Sequence, residues 1–151
     1  MAFNTVKLKK YLDIINEYAA AAVITPGNLL ELTSAGKVQR HSVEGGTALV
    51  MFALEDELQG KGIDDNYAIG DRVQVWVAVR GEEVYALLED GETIVIGDYL
   101  MSNGAGRLQK VDTEAISAAE LGSVVAQALE ALDLSGSSGA DTTYRIKVRV
   151  F

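Results

Sequence analysis

A chain of 151 residues with 48% apolar composition is long enough for one domain with a substantial core and too apolar to be disordered. The absence of cysteine excludes disulfides, a thiolate nucleophile and Cys-based metal sites, while 15 glycines against one proline point to many tight turns in a β-rich fold. A net charge of −9 argues against general nucleic-acid binding, and no run approaches the eighteen or so apolar residues of a membrane span.

Residues 5–22, TVKLKKYLDIINEYAAAA, read as a helix. Leu8, Leu12, Ile15 and Ala19 recur at helical spacing with Tyr11 and Tyr18 alongside, and the alanine run favours helix. Lys7, Lys9 and Lys10 are not followed by a clean apolar stretch, so no leader is expected and an intracellular setting fits. Pro26 stops the helix. This defines an N-terminal arm, 1–23, ahead of a β-rich domain, 24–151.

After Pro26 short apolar runs alternate with glycine turns. LLEL reaches the turn Ser34-Ala35-Gly36, KVQRHSV reaches Glu44-Gly45-Gly46, and TALVMFAL reads as a buried strand. Residues 55–67, EDELQGKGIDDNY, are polar and aperiodic, which suits a connecting or functional loop. In RVQVWVAV, Val73, Val75, Val77 and Val79 fall on one side and Gln74, Trp76 and Ala78 on the other. Arg80-Gly81-Glu82 then leads to VYALL and Asp90-Gly91 to TIVI, predicting two β-hairpins in series. YLM and RLQKV flank the loose turn SNGAG.

The segment AISAAELGSVVAQALEALDL has helical composition, weakened by Gly122, Val124 and Val125. SGSSGAD, 135–141, reads as a flexible loop. TYRIKVRVF is a strand with Ile146, Val148 and Val150 inward and Arg145, Lys147 and Arg149 outward, and its nearest partner is 124–132. Charge is uneven along the chain: residues 1–22 carry three lysines against two acids, and 143–151 carry three bases without an acid. The stretch between holds 20 acids against 7 bases.

One pattern occurs three times: Thr25-Pro26-Gly27-Asn28, Ala68-Ile69-Gly70-Asp71 and Val95-Ile96-Gly97-Asp98. Asp71 and Asp98 could be read as a catalytic carboxylate pair. Turn geometry explains all three better, because proline suits position i+1 of a type II turn, glycine suits i+2, and Asp or Asn can bond back to nearby amides. Pro26, Gly27, Asn28, Gly70, Asp71, Gly97 and Asp98 are thus expected to be structural. His41 stands alone and is expected to be a surface or hydrogen-bonded histidine rather than a ligand. Gly60-Lys61-Gly62 lacks the spacing of a phosphate loop, and the acids at 55–57 and 64–65 lack that of an EF-hand. No nucleophile elbow is present, so no enzyme activity, catalytic residue, cofactor or metal is expected.

Three segments, KYLDIINEYAAAAVITPGNLLELTSAGKVQRH, GGTALVMFALEDELQGKGIDDNYAIGDRVQVWV and DGETIVIGDYLMSNGAGRL, and the end pair ALEALD and YRIKVRVF, resemble the capsid cement (head decoration) proteins of tailed bacteriophages. The resemblance runs from about Tyr11 to Phe151. It implies a mainly β fold, a compact β-barrel or β-tulip-like domain with a partly helical N-terminal arm. It implies that ALEALD pairs with the C-terminal strand. It also implies a structural protein on the outside of the virion, made in the host cytoplasm, whose partners are the major capsid protein and itself as a homotrimer. Lys7, Leu8, Lys10, Tyr11, Leu12, Ile15 and Tyr18 are then the candidate contacts to capsid or neighbouring subunit. The alternative reading is a small-ligand or carbohydrate-binding β-barrel, with Trp76 or Tyr85 as a stacking platform and His41 as a polar contact.

Overall fold

The structure, a computed structural model, describes residues 2–114, 123–137 and 143–151. It is mainly β, with thirteen strands among the described residues and one short 3-10 turn, Glu57–Gln59. The largest sheet has six strands: β1 (Lys7–Lys9), β7 (Glu83–Leu87), β13 (Arg145–Val150), β11 (Ala126–Ala128), β9 (Tyr99–Ser102) and β10 (Leu108–Lys110), in that order. A three-stranded sheet is ordered β2 (Ile15–Ala19), β6 (Arg72–Val77), β5 (Met51–Ala53). Two-stranded ribbons are formed by β3 (Leu30–Leu32) with β4 (Val38–Arg40), and by β8 (Thr93–Ile94) with β12 (Leu132–Asp133). Among the described residues none of these sheets closes on itself, so the expected compact barrel is instead a packing of open sheets.

Strand β6 joins the packing together. The alternation read in the sequence gives it two buried faces rather than one. Val73 and Val75 enter a core with Ala20, Ile24, Leu30, Val38, Met51, Ala53 and Tyr67. Trp76, followed by Ala78 just past the strand, enters the larger core with Phe52, Leu88, Leu100, Ile146 and Val148. Fully burying each of these side chains contributes roughly 1.5–3 kcal/mol, so the two cores hold β6 from both sides.

The expected helix over 5–22 is not formed. Val6 is fully buried, β1 pairs with β7, and all five residues of β2 pair with β6, from Ile15 opposite Trp76 to Ala19 opposite Arg72. An isolated helix of that length is marginal in water, whereas the ladder satisfies the backbone and seats Ala20 in the core. The alanine run serves close approach: Ala20 N–H donates to Asp71 O, Ala20 O accepts from Gly70, and Ala21 N–H donates to Val38 O.

The two hairpins in series are likewise absent. Turns do form at 79–82 and around Gly91, but β6 stays in the three-stranded sheet while β7 enters the six-stranded one, and β8 pairs with β12. Both edges of β6 are already taken by β2 and β5, and both edges of β7 by β1 and β13. The 79–82 turn is a crossover between sheets. Hairpins form instead across two of the other expected turns, β3 with β4 and β9 with β10.

The C-terminal strand finds the expected neighbour, with Ile146, Val148 and Val150 buried. Its ladder on that side is Ala126–Ala128, so of ALEALD only Ala128 lies in it, and Leu132 and Asp133 pair with β8 instead. Arg145 points inward, against expectation, for a reason given below. Of the segment with helical composition, 115–134, the described part carries β11 and β12 instead of a helix, while 115–122 and most of the SGSSGAD loop lie outside the described residues.

The repeated motif is one local structure used three times. In each copy the residue after glycine donates its N–H to the carbonyl three residues back: Asn28 to Thr25 at 3.0 Å, Asp71 to Ala68 at 3.1 Å, Asp98 to Val95 at 3.1 Å. Its side chain accepts in return from that residue's N–H, at 2.8, 2.8 and 2.9 Å respectively. Gly27, Gly70 and Gly97 take φ of 96°, 88° and 94°, the left-handed conformation that i+2 of a type II turn requires. The first copy uses Asn because its second side-chain atom must donate: Asn28 Nδ2 bonds Gly106 O at 3.1 Å, where a carboxylate oxygen would face a carbonyl.

Valine at Gly70 or Gly97 meets open space but not an allowed φ, and should lower stability by about 1–3 kcal/mol. At Gly27 a Cβ would also stand 3.3 Å from Arg145 Nε, Leu87 Cγ and Tyr85 O, so Gly27→Val should melt lowest of the three. Unchanged melting of the Gly70 and Gly97 variants would show that the corners do not need positive φ.

Asp98 supplies a pH signature. Burial acts to raise its carboxyl, but the Val95 amide and the Lys110 ammonium, 2.9 Å away, outweigh it and hold the group below the usual Asp range. A folded-state value below the unfolded one stabilises above the unfolded pKa, and that stabilisation is lost as pH falls through the folded value. Asp98→Asn should therefore cost stability at neutral pH, and thermal melts should show the deficit shrinking below about pH 4.

Candidate interaction surface

The expected contact residues are delivered by two strands and the connector between them. Lys7 and Leu8 lie on β1 at the edge of the six-stranded sheet. Ile15 and Tyr18 lie on β2 at the edge of the three-stranded sheet. Lys10, Tyr11 and Leu12 cross between the two sheets. The helical stripe therefore does not exist as a face: Leu8 is half-buried and Tyr18 packs against the smaller core. What is brought together is a shorter exposed group, Tyr11, Leu12, Ile14 and Ile15, of which Tyr11 is 64% and Leu12 54% exposed. Ile14 was not among the expected contacts, although its spacing from Tyr11 and Tyr18 would have placed it beside them on a helix.

Three buried charged groups fix this segment and its surroundings by gripping backbone. Glu82, fully buried, accepts from Tyr11 N–H and Leu12 N–H through Oε1, each at 2.9 Å, and from Val79 N–H through Oε2 at 2.7 Å. Glu55 accepts from Val6 N–H at 3.0 Å. Arg145 donates to Pro26 O at 3.0 Å, to Ile63 O at 2.6 Å and to the Asp64 carboxylate at 2.8 Å, which is why it turns inward. A buried charge is costly unless donors or acceptors converge on it, and these do.

Glu82 was legible in principle. Val79-Arg80-Gly81-Glu82 is a fourth copy of the corner, with Gly81 at φ 96° and Glu82 N–H donating to Val79 O. Glutamate in place of Asp or Asn hid it, and the longer side chain is what lets Oε1 reach onward to the N-terminal segment.

The basic groups of the segment are partly spent on one another's partner. Lys10 and Lys7 approach Asp13 at 2.5 and 3.2 Å, and the Lys10 bond chiefly pulls the Asp13 carboxyl below its ordinary range. Lys9 lies over the Tyr11 ring, 5.9 Å from its centroid.

The residues of the ligand-binding alternative are not brought to a common cavity. Trp76 is fully buried, so neither ring face can stack on a ligand. Tyr85 meets Phe3 edge-on at 5.2 Å. His41 is buried, with Nδ1 on Ser102 Oγ at 2.7 Å and Nε2 on Thr47 O at 3.2 Å. Glu31 Oε2 is 3.9 Å away, and among the described residues no three His, Asp or Glu side chains are placed to hold a metal ion.

No family model and no curated protein matches the sequence. Among solved structures, the fold is similar to that of the head fiber gp8.5 N base of bacteriophage phi29, with a TM-score of 0.55 at 12% identity. The likeness covers 93% of this chain and 95% of that one. At that identity it is a likeness of fold.

Glu82→Ala removes both acceptor oxygens and leaves the Tyr11, Leu12 and Val79 N–H donors without their partner. The change should cost about 1–3 kcal/mol, and hydrogen exchange at Tyr11 and Leu12 should accelerate relative to the β13 amides. Unaltered exchange at those two amides would show that the carboxylate does not hold the segment.

Proposed function

We propose that this chain is a structural cement or decoration protein of a phage head. It binds the outer surface, bridges neighbouring major capsid subunits and stabilises the expanded shell. The observation that supports this most is the fold likeness to a phage head fiber base over nearly the full length of both chains. In this reading residues 1–23 are the contact arm, seated on the body 24–151, and copies associate as a homotrimer on the virion exterior. The role is mechanical, with no chemistry and no cofactor.

The arm offers what a contact surface needs. Tyr11, Leu12, Ile14 and Ile15 expose apolar area on a backbone that Glu82 holds in place, so little ordering entropy remains to be lost on binding. Lys7, Lys9 and Lys10 make this end of an acidic chain less repulsive to an acidic shell. Each contact can be modest, because many copies on one shell act together.

The test is co-sedimentation with expanded heads that lack the protein. Tyr11→Ala with Leu12→Ala should leave the fold intact, since both side chains are exposed, and should weaken head binding at least tenfold, or about 1.4 kcal/mol per site. Undiminished binding by the folded double variant would overturn the arm as the contact.

A further inference from the structure

Beside the 79–82 turn lies a hollow of about 200 Å³, lined by Arg80, Gly81, Gln127, Arg149, Val150 and Phe151. It is the reverse of the protein's general character, because two arginines and no acid line it on a chain of net charge −9. Arg80 engages a ring rather than a carboxylate, its Cζ lying 5.5 Å from the Phe151 centroid. Arg149 is shared with Glu83 at 3.0 Å, and Glu83 also takes Lys147 at 3.3 Å. Phe151 is 53% exposed and meets Tyr99 edge-on at 5.5 Å, so rings that could have been buried are displayed beside arginine. Aromatic and arginine side chains around a concave, partly apolar site are the composition of binding hot spots.

The complement is on the same chain. Leu58 is 86% exposed, the most exposed large apolar side chain among the described residues, and it stands on the 3-10 turn directly after the exposed Glu57. Nothing in the core depends on that turn, since none of its residues is buried. The turn is nonetheless held in shape, with Gln59 and Lys61 N–H both donating to Asp56 O. An acidic, apolar-tipped knob and a basic, aromatic-lined hollow that share no residue therefore coexist on one molecule.

We infer that the Arg80–Arg149–Phe151 hollow is a self-association site that receives the Glu57–Leu58 knob of a second copy. Glu57 meets the guanidinium pair while Leu58 covers the Phe151 ring. Such a contact is heterologous, with each copy offering one knob and one hollow, so repetition closes a ring or extends a chain. The net −9 on each copy opposes approach at long range, but the Debye length of about 8 Å at physiological ionic strength screens this while leaving the contact pair intact. The inference rests on the reading above only in expecting copies to associate, and it names the surface through which they do.

The experiment is sedimentation of the purified full chain, without heads. The wild type should sediment as an oligomer, while Arg80→Glu and Leu58→Asp should each be monomeric, with self-association weakened at least tenfold. Both side chains are exposed, so wild-type melting is expected, and Arg80→Ala and Leu58→Ala replace either variant that does not fold. Mixing the two variants decides the matter. The Arg80 variant keeps its knob and the Leu58 variant keeps its hollow, so an equimolar mixture should form a dimer and nothing larger. A monomeric wild type, a variant that assembles like the wild type, or a mixture that stays monomeric would each overturn the inference. Head binding by a wild type that does not self-associate would sink this proposal and leave the cement reading standing. Self-association without head binding would do the reverse.

Discussion

A carboxylate removed from water must be given donors, and the way Glu82 obtains its three organises the molecule. Its own corner supplies one, Val79 N–H, and the N-terminal segment supplies two, from Tyr11 and Leu12, 71 and 70 residues away in sequence. The same side chain therefore shapes the crossover from the small sheet to the large one and seats the segment that bridges them. Glu55 does likewise for Val6 at a separation of 49 residues, and Arg145 reaches carbonyls 119 and 82 residues back. Short strands carry few ladder bonds each. Long-range charge-assisted bonds to backbone supply the cross-links that such strands cannot.

Strand β6 is the other half of this economy. With Val73 and Val75 in one core and Trp76 in the other, it forces the sheets to share a strand's two faces instead of pairing edge to edge. The chain must then leave β6 without folding back on it, because both its edges are occupied. A tight turn with an internal carboxylate accepts that geometry: it reverses direction, satisfies its own amides and still has an oxygen free for another segment.

The parts legible in the sequence were those governed by local chemistry. Gly27, Gly70 and Gly97 with their Asn or Asp neighbours specify a turn from four residues alone, and Ile146, Val148 and Val150 specify a strand by alternation. What could not be read depended on which edges remain free after the rest has paired. Helical spacing at Leu8, Leu12 and Ile15 is real, but those residues divide among two sheets and a connector. The turn at Gly81 is real too, yet a turn does not say whether its flanking strands pair, and here Glu82 shows the opposite outcome. Ala126–Ala128 against the C-terminal strand was found because β13 needed a neighbour; the exact ladder lay a few residues earlier than ALEALD because Leu132 and Asp133 are drawn to β8.

The same constraints bear on how such a chain could grip a surface. Exposed apolar residues on a free tail would have to be ordered on contact, and ordering costs roughly 0.5–1.5 kcal/mol for each rotamer-rich side chain before any backbone term is added. Here Tyr11 and Leu12 have their amides fixed by Glu82, and Leu58 stands on a turn closed by Asp56, so the backbone part of that cost is met during folding. The two segments are also neighbours: Glu55, at the start of the 55–61 turn, holds Val6 N–H, and Lys7 and Ile15 line one hollow with Glu57 and Leu58. On such a surface each small, rigid contact adds to the rest without having to be strong by itself.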